Sequence, residues 1–273
     1  MAELRNINWG KLLRDTFNPQ SLEILLKSRS LQWALTTALR KQGLMVLDWS
    51  EDLIVEYKGL RYKTDLINYP RIFEAYDRYR IDEIQKDGVV VDLGANIGSF
   101  SVPATTRAKV VYAWEPLFYD RLWENCALNY ETPGRFLLSG SAVAGTYSGD
   151  IWVDCQEYGK SVSSVPFRDI KEQVGKIDFL RMDIGGKEWE IHPSELEDIR
   201  NLEIEFHFWK GIKGGWSLWK KWLKDEGYSA TARWSKHKHW LYLSARKDGT
   251  GLVKEFHLPD GSFKGKSLDI WRS

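Results

Sequence analysis

The first residues with chemistry in them are Asp92-Leu93-Gly94-Ala95-Asn96-Ile97-Gly98-Ser99-Phe100. Glycines at 94 and 98 let a backbone approach a ligand, and a helix beginning just after them offers unpaired N–H groups. Glu115, followed by Pro116, stands 23 positions after Asp92. An acid at that distance, at the tip of the next strand, is placed to accept hydrogen bonds from ribose hydroxyls. The loop also discriminates between cofactors. A dinucleotide site takes G-x-G-x-x-G, which needs glycine at 96, and Asn96 stands there. Asp92 would face a pyrophosphate badly but suits a ligand with a positive centre. That profile is S-adenosylmethionine rather than a nicotinamide dinucleotide.

Further along, Asp183, Glu205 and His207 fall at or near the ends of two more strands. In an open α/β sheet the reacting groups lie at the carboxyl ends of strands. Methyl transfer from a sulfonium is an in-line displacement, so holding the acceptor atom in line supplies much of the catalysis. A hydroxyl acceptor also needs a base. Asp183 is the first choice, although it equally suits a cofactor-loop ligand or a cap for the helix near Lys187. His207 is the better base by its ordinary pKa, and Glu205 is the third candidate. Ser141-Ala142 sits at the tip of the third strand, where an adenine edge would lie. His237 and His239 form an H-x-H pair without an evident third ligand, so no metal site is expected. Cys126 and Cys155 make no C-x-x-C or Cys/His cluster and read as two thiols in a reducing compartment.

The elements that must position these groups follow from the pattern. Val89-Val90-Val91 reads as a strand covered on both faces. Strands over 109–114, 135–138, 176–182 and 202–206 alternate with helical segments, and 229–234 with 240–245 reads as a closing hairpin. The predicted fold is α/β: a doubly wound, mostly parallel, seven-stranded Rossmann-like sheet with an antiparallel edge hairpin. Residues 150–155 and 161–165 read as a two-stranded insert. Ahead of this core, Asn18-Pro19 opens a helix carrying Leu22, Leu25, Leu26, Leu35 and Leu39 and stopping near Gly43. A hairpin over 53–63 turns at Lys58-Gly59, and a helix is predicted over 72–84, with Phe73, Tyr76, Tyr79 and Arg80 available to a cleft. The expected organisation is an N-terminal extension over 1–80, the cofactor-binding domain over 81–249 and a tail over 250–273.

Four motifs in order resemble the FkbM-type S-adenosylmethionine-dependent methyltransferases. They are VVDLGANIGSF (90–100), Glu115-Pro116, RMDIGGKE (181–188) and LEIEFH (202–207). The resemblance covers about 88 to 246. It implies that Asp92, the 94–100 loop and Glu115 hold the cofactor, with Ser141 and Ala142 near its adenine. It also implies an O-directed transfer to a hydroxyl of a sugar or small metabolite, and the basic segment over 208–249 adds an RNA hydroxyl as a candidate acceptor. One position departs from the pattern: Gly185 stands where D-V-E-G-A-E has its first glutamate, while Asp183 and Glu188 are retained. That departure keeps an alternative open, a catalytically silent relative acting as a binding module.

A formal charge of +1 conceals a segregation. Residues 81–207 hold 12 basic and 22 acidic groups, whereas 208–249 hold 10 basic and 3 acidic ones with six of the fourteen tryptophans. Lys210–Lys224 has three readings: core contacts with a solvated lysine face, RNA contact by stacking and phosphate neutralisation, or rest at an anionic membrane. No apolar run reaches the ~18 residues of a membrane span, and the polar start lacks a signal-peptide pattern. The expected location is cytoplasmic.

Overall fold

The computed structural model describes residues 29–50, 52–65, 68–155, 158–208, 215–235 and 239–257. They form two compact units that part between Asp77 and Arg78. In the first unit, helix α1 (Arg29–Arg40) buries Leu35 and Leu39. The start expected at Asn18-Pro19, with Leu22, Leu25 and Leu26, lies outside the described residues. Strands β1 (Met45–Asp48), β2 (Leu53–Tyr57) and β3 (Leu60–Thr64) make an antiparallel sheet. Its β2–β3 hairpin is the expected one, and β1 is an addition. Helix α2 (Pro70–Arg78) buries Ile72 and Ala75. Phe73 and Tyr76 on that helix meet the edge of Tyr57, at 5.0 and 5.2 Å between ring centroids, so they serve packing.

The second unit begins with a correction. α2 ends at Arg78 rather than Ile84, because Arg80 leaves helical geometry and reaches Glu203 (Nε–Oε1 2.6 Å). A 3-10 turn, Ile81–Glu83, takes over. From there the chain alternates: β4 (Val89–Leu93), α3 (Ser101–Ala104), β5 (Val110–Trp114), α4 (Tyr119–Leu128), β6 (Arg135–Ser139). An insert of β7 (Ala142–Ala144), β8 (Gly149–Cys155) and β9 (Tyr158–Pro166) follows as a separate three-stranded sheet, one strand more than expected. Then come α5 (Phe167–Val174), β10 (Phe179–Met182), β11 (Asn201–His207), α6 (Trp216–Asp225), β12 (Tyr228–Trp234), β13 (Trp240–Lys247) and β14 (Val253–His257).

The main sheet has the order β6-β5-β4-β10-β11-β13-β12-β14. All its strands run parallel except β13, which is antiparallel to both β11 and β12. The seven expected strands are present, and the doubly wound α/β reading holds. Two details differ. The antiparallel strand is internal rather than at the edge, and the tail supplies an eighth strand beside β12. Val253 packs on the core and Glu255 binds α6 and β12 side chains, which is what draws that segment into the sheet. β10 and β11 are buried along their whole length, as parallel strands covered on both faces must be. The chain enters the sheet at β4, moves out through β5 and β6, and returns on the other side at β10. The switch point therefore lies between β4 and β10, where the departing loops open a crevice at the carboxyl ends. Among the described residues no helix is long and apolar enough to cross a membrane.

Candidate functional site

The glycine loop leaves β4 at that switch point. Gly94 has φ +81°, and a Cβ there would lie 1.9 Å from the Asp183 carbonyl oxygen. The loop and the tip of β10 are thus in direct backbone contact, which only glycine permits. Asn96 takes a left-handed conformation, φ 52°, that asparagine tolerates better than most residues. Its N–H donates to Glu115 Oε2 at 2.7 Å, while Glu115 Oε1 accepts from the N–H groups of Leu117 and Phe118 at 2.7 and 3.0 Å. Burial pushes the Glu115 carboxyl up against the lowering pull of these three donors. A carboxylate has about four acceptor sites, so one remains.

The other expected cofactor residues divide by burial. Gly94, Asn96, Ser99, Pro116 and Ser141 are half-buried at the loop and strand tips, while Ala95, Gly98, Phe100 and Ala142 are buried. Phe100 is a core side chain, stacked on Phe179 at 5.7 Å between centroids and meeting Tyr79 edge-on at 5.5 Å. Ser141 Oγ lies 3.3 Å from Ser163 Oγ, against the insert sheet.

Beneath the loop sits Arg181, which the sequence reading did not single out. Its Nη1 donates to Asp92 Oδ1 (3.2 Å) and to the Gly94 carbonyl, and its Nη2 to Tyr79 Oη (3.0 Å) and Asp183 Oδ2 (2.7 Å). The fully buried Asp92 also accepts from Ser101 Oγ at 2.5 Å. Burial raises the Asp92 carboxyl, opposed by Arg181 and Ser101. One signal was available: an arginine inside the otherwise apolar run Phe179–Met182 has to find buried partners.

Next to Arg181 lies a cluster of ions. Glu203, Glu205 and His207 alternate along β11, so they share one face. Glu203 accepts from Arg80 Nε and from Ser244 Oγ, both at 2.6 Å. Glu205 accepts from Tyr242 Oη (3.1 Å), and Arg78 Nη1 stands 3.6 Å away. The His207 ring has Nδ1 3.2 Å from Glu188 Oε1, and Nε2 3.7 Å from both Asp183 Oδ1 and Glu205 Oε1. Burial works to lower its pKa, but Glu188, then Glu205 and Asp183, overcome this and push it up to about 10. The carboxylates around the ring thus favour the imidazolium form, which sets His207 against the base role that its ordinary pKa suggests.

The fully buried Glu188 was carried by the motif match but not named as a site residue. It also accepts from the N–H groups of Ile184 (2.7 Å) and Gly186 (2.9 Å). Asp183, Glu205 and His207 offer one ligand atom each within 4.8 Å of one another. A cation there would compete with a proton on His207 and with Arg181 and Arg78, which already face Asp183 and Glu205. The group reads as a proton-bearing ion cluster.

The basic tryptophan-rich segment packs largely inward. Trp219 is buried and edge-on to Phe206 at 4.8 Å, and Trp216 and Trp222 pack on the core. Glu255 of β14 accepts from the indoles of Trp216 and Trp234 at 3.3 and 3.1 Å and pairs with Lys220. Lys221 pairs with Asp225. Trp209, Lys210, Lys213 and His237 lie outside the described residues.

No protein-family model matches the chain, and no curated protein does. Solved structures do. Trm5b from Pyrococcus abyssi shares 17% identity at a TM-score of 0.43, over 74% of this chain, which spans 62% of that protein. TYW2 from M. jannaschii, in complex with AdoMet, shares 19% identity at a TM-score of 0.45, over 74% of this chain and 87% of that one. The tRNA m1G37 methyltransferase of M. jannaschii shares 15% at 0.45, over 86% and 68%. These are distant likenesses; the fold rests on the strand order given above, and the FkbM resemblance on its four motifs.

Proposed function

We propose that the chain is an S-adenosylmethionine-dependent methyltransferase of the FkbM type, acting on a hydroxyl of a sugar, small metabolite or RNA. One arrangement carries the reading: the glycine loop leaves β4 at the switch point, and Glu115 at the tip of β5 is fixed by the loop's own Asn96 N–H. Three backbone donors orient that carboxylate and leave an acceptor site for a ribose hydroxyl. Backbone at Gly94, Asn96 and Gly98 would line the cofactor, with Asp92 acting through Arg181 and Ser101 rather than by direct contact. The bound cofactor would supply an electrophilic methyl group on a sulfonium. Acids beside the loop, Asp183 among them, suit that positive centre.

The acceptor would lie at the carboxyl ends of β10 and β11, against Asp183 and Glu205. At Gly185 a Cβ would meet nothing within 4 Å. That is room where the FkbM pattern carries a glutamate, and it favours an acceptor different from those of relatives that keep the acid.

The test is transfer of labelled methyl groups from S-adenosylmethionine to fractionated cell extract. Labelling of one fraction is expected. Glu115→Ala should weaken cofactor binding at least about tenfold, the loss of one hydrogen bond to a charged group. Cofactor binding with no labelled fraction would favour the silent binding module instead.

A further inference from the structure

We propose that Glu188 is a positioning residue: it fixes His207 as an imidazolium whose Nε2 faces Asp183 and Glu205, leaving those carboxylates, not the imidazole, to accept a proton. Glu188 is well built for this. It is fully buried, and the Ile184 and Gly186 N–H groups hold its two oxygens. Those donors belong to a turn in which Gly185 and Gly186 both have positive φ, 64° and 98°, a shape side chains resist. The carboxylate is therefore held by backbone donors independent of the histidine, and His207 Nδ1 meets it at 3.2 Å. From the other side, the Trp189 indole donates to the His207 carbonyl at 2.7 Å and anchors the backbone.

Charge balance points the same way. Asp183 on the β10 tip, Glu188 in the turn and Glu205 on β11 surround the ring. Among the described residues, Arg181, which Asp183 shares with Asp92, and Arg78 on Glu205 also face them. Tyr242 of β13 adds a neutral hydroxyl to Glu205. Each of the three carboxylates lies within 3.7 Å of a ring nitrogen, surroundings that favour a proton on His207.

The chemical consequence rests on the methyltransferase reading. As the acceptor oxygen takes the methyl carbon, its proton passes to Asp183 or Glu205. The carbon–sulfur bond breaks, and its electron pair leaves on sulfur as a neutral thioether. The imidazolium would lie 3.7 Å from both carboxylates and offset the repulsion between their like charges.

Imidazole nitrogen NMR of the 15N-labelled protein, without cofactor, tests this apart from any activity. In the wild type, His207 should show the imidazolium pattern at pH 8, where a histidine with the ordinary pKa near 6.5 is neutral. In Glu188→Gln its midpoint should fall by about one pH unit or more, a tenfold loss of proton affinity. A neutral His207 at pH 7 in the wild type would overturn the proposal, whether or not the variant folds. So would an unchanged midpoint in folded Glu188→Gln, or stoichiometric Mn²⁺ binding that removes the proton. If methyl transfer is never found but the spectra agree, the ion arrangement stands and only its catalytic use falls.

Discussion

Replacing Arg181 with methionine is expected to destabilise the second unit by about 3–5 kcal/mol, the usual cost of removing one member of a buried ion pair. The guanidinium is the only cation on the fully buried Asp92 among the described residues, and it also holds Asp183, Tyr79 and the Gly94 carbonyl. Methionine fills similar volume but takes the guanidinium away from both Asp92 and Asp183. The deficit has a defined pH dependence. Burial already raises the Asp92 carboxyl, and losing Arg181 raises it further. A carboxyl with a raised folded-state pKa weighs against the fold while ionised and is relieved as pH falls through that value. The variant should therefore lose less stability at pH 5 than at pH 8. Urea unfolding at both pH values measures it, and Asp92→Asn in the same chain should recover more than about 1 kcal/mol as coupling. An Arg181→Met protein within about 0.5 kcal/mol of wild type at pH 8 would contradict the role given to this residue.

The second large effect is expected at Gly94. An added methyl group would lie 1.9 Å from the Asp183 carbonyl oxygen, and the residue has φ +81°. Backbone on both sides of the switch point would have to separate, moving the loop from Glu115 and the β10 tip. Gly94→Ala should weaken cofactor binding by about a hundredfold, or about 3 kcal/mol. Gly175→Ala is the matched control. It has a similar φ, +75°, with nothing within 4 Å of the new carbon, so it carries the cost of a side chain at positive φ without that of close approach. Calorimetric titration of both variants separates the two causes. If Gly175→Ala and Gly94→Ala bind alike, close approach is not what the loop needs.

Local chemistry was the legible part. A glycine loop after an apolar run and an acid at the next strand tip can be read without tertiary knowledge; Asn96 and Glu115 stand at that loop and tip, while Asp92, read as facing the ligand, is fully buried on Arg181. What escaped depends on contacts across the fold. Arg181 matters because β10 pairs with β4 in a register that sets Arg181 opposite Asp92, and register is not written in either segment alone. His207 carries the converse lesson. Its ordinary pKa recommended it as a base, but Asp183 and Glu188 from the β10 side join Glu205 around the ring and favour its charged form. Composition could not separate the readings of the tryptophan-rich helix either. Trp216, Trp219 and Trp222 recur every three residues, and that spacing turned out to face the core. No strand was expected in the tail over 250–273, and the contacts that hold β14 come from elsewhere in the chain: Glu255 accepts from two indoles and a lysine.

The central claim is that the crevice between β4 and β10 takes a sulfonium nucleoside. Titrating the wild-type protein in a calorimeter with S-adenosylmethionine, its demethylated product and NAD decides it most directly. One-to-one binding of the first two and none of NAD is the expected result. No heat from S-adenosylmethionine at millimolar concentration, or binding of NAD in its place, would contradict the account.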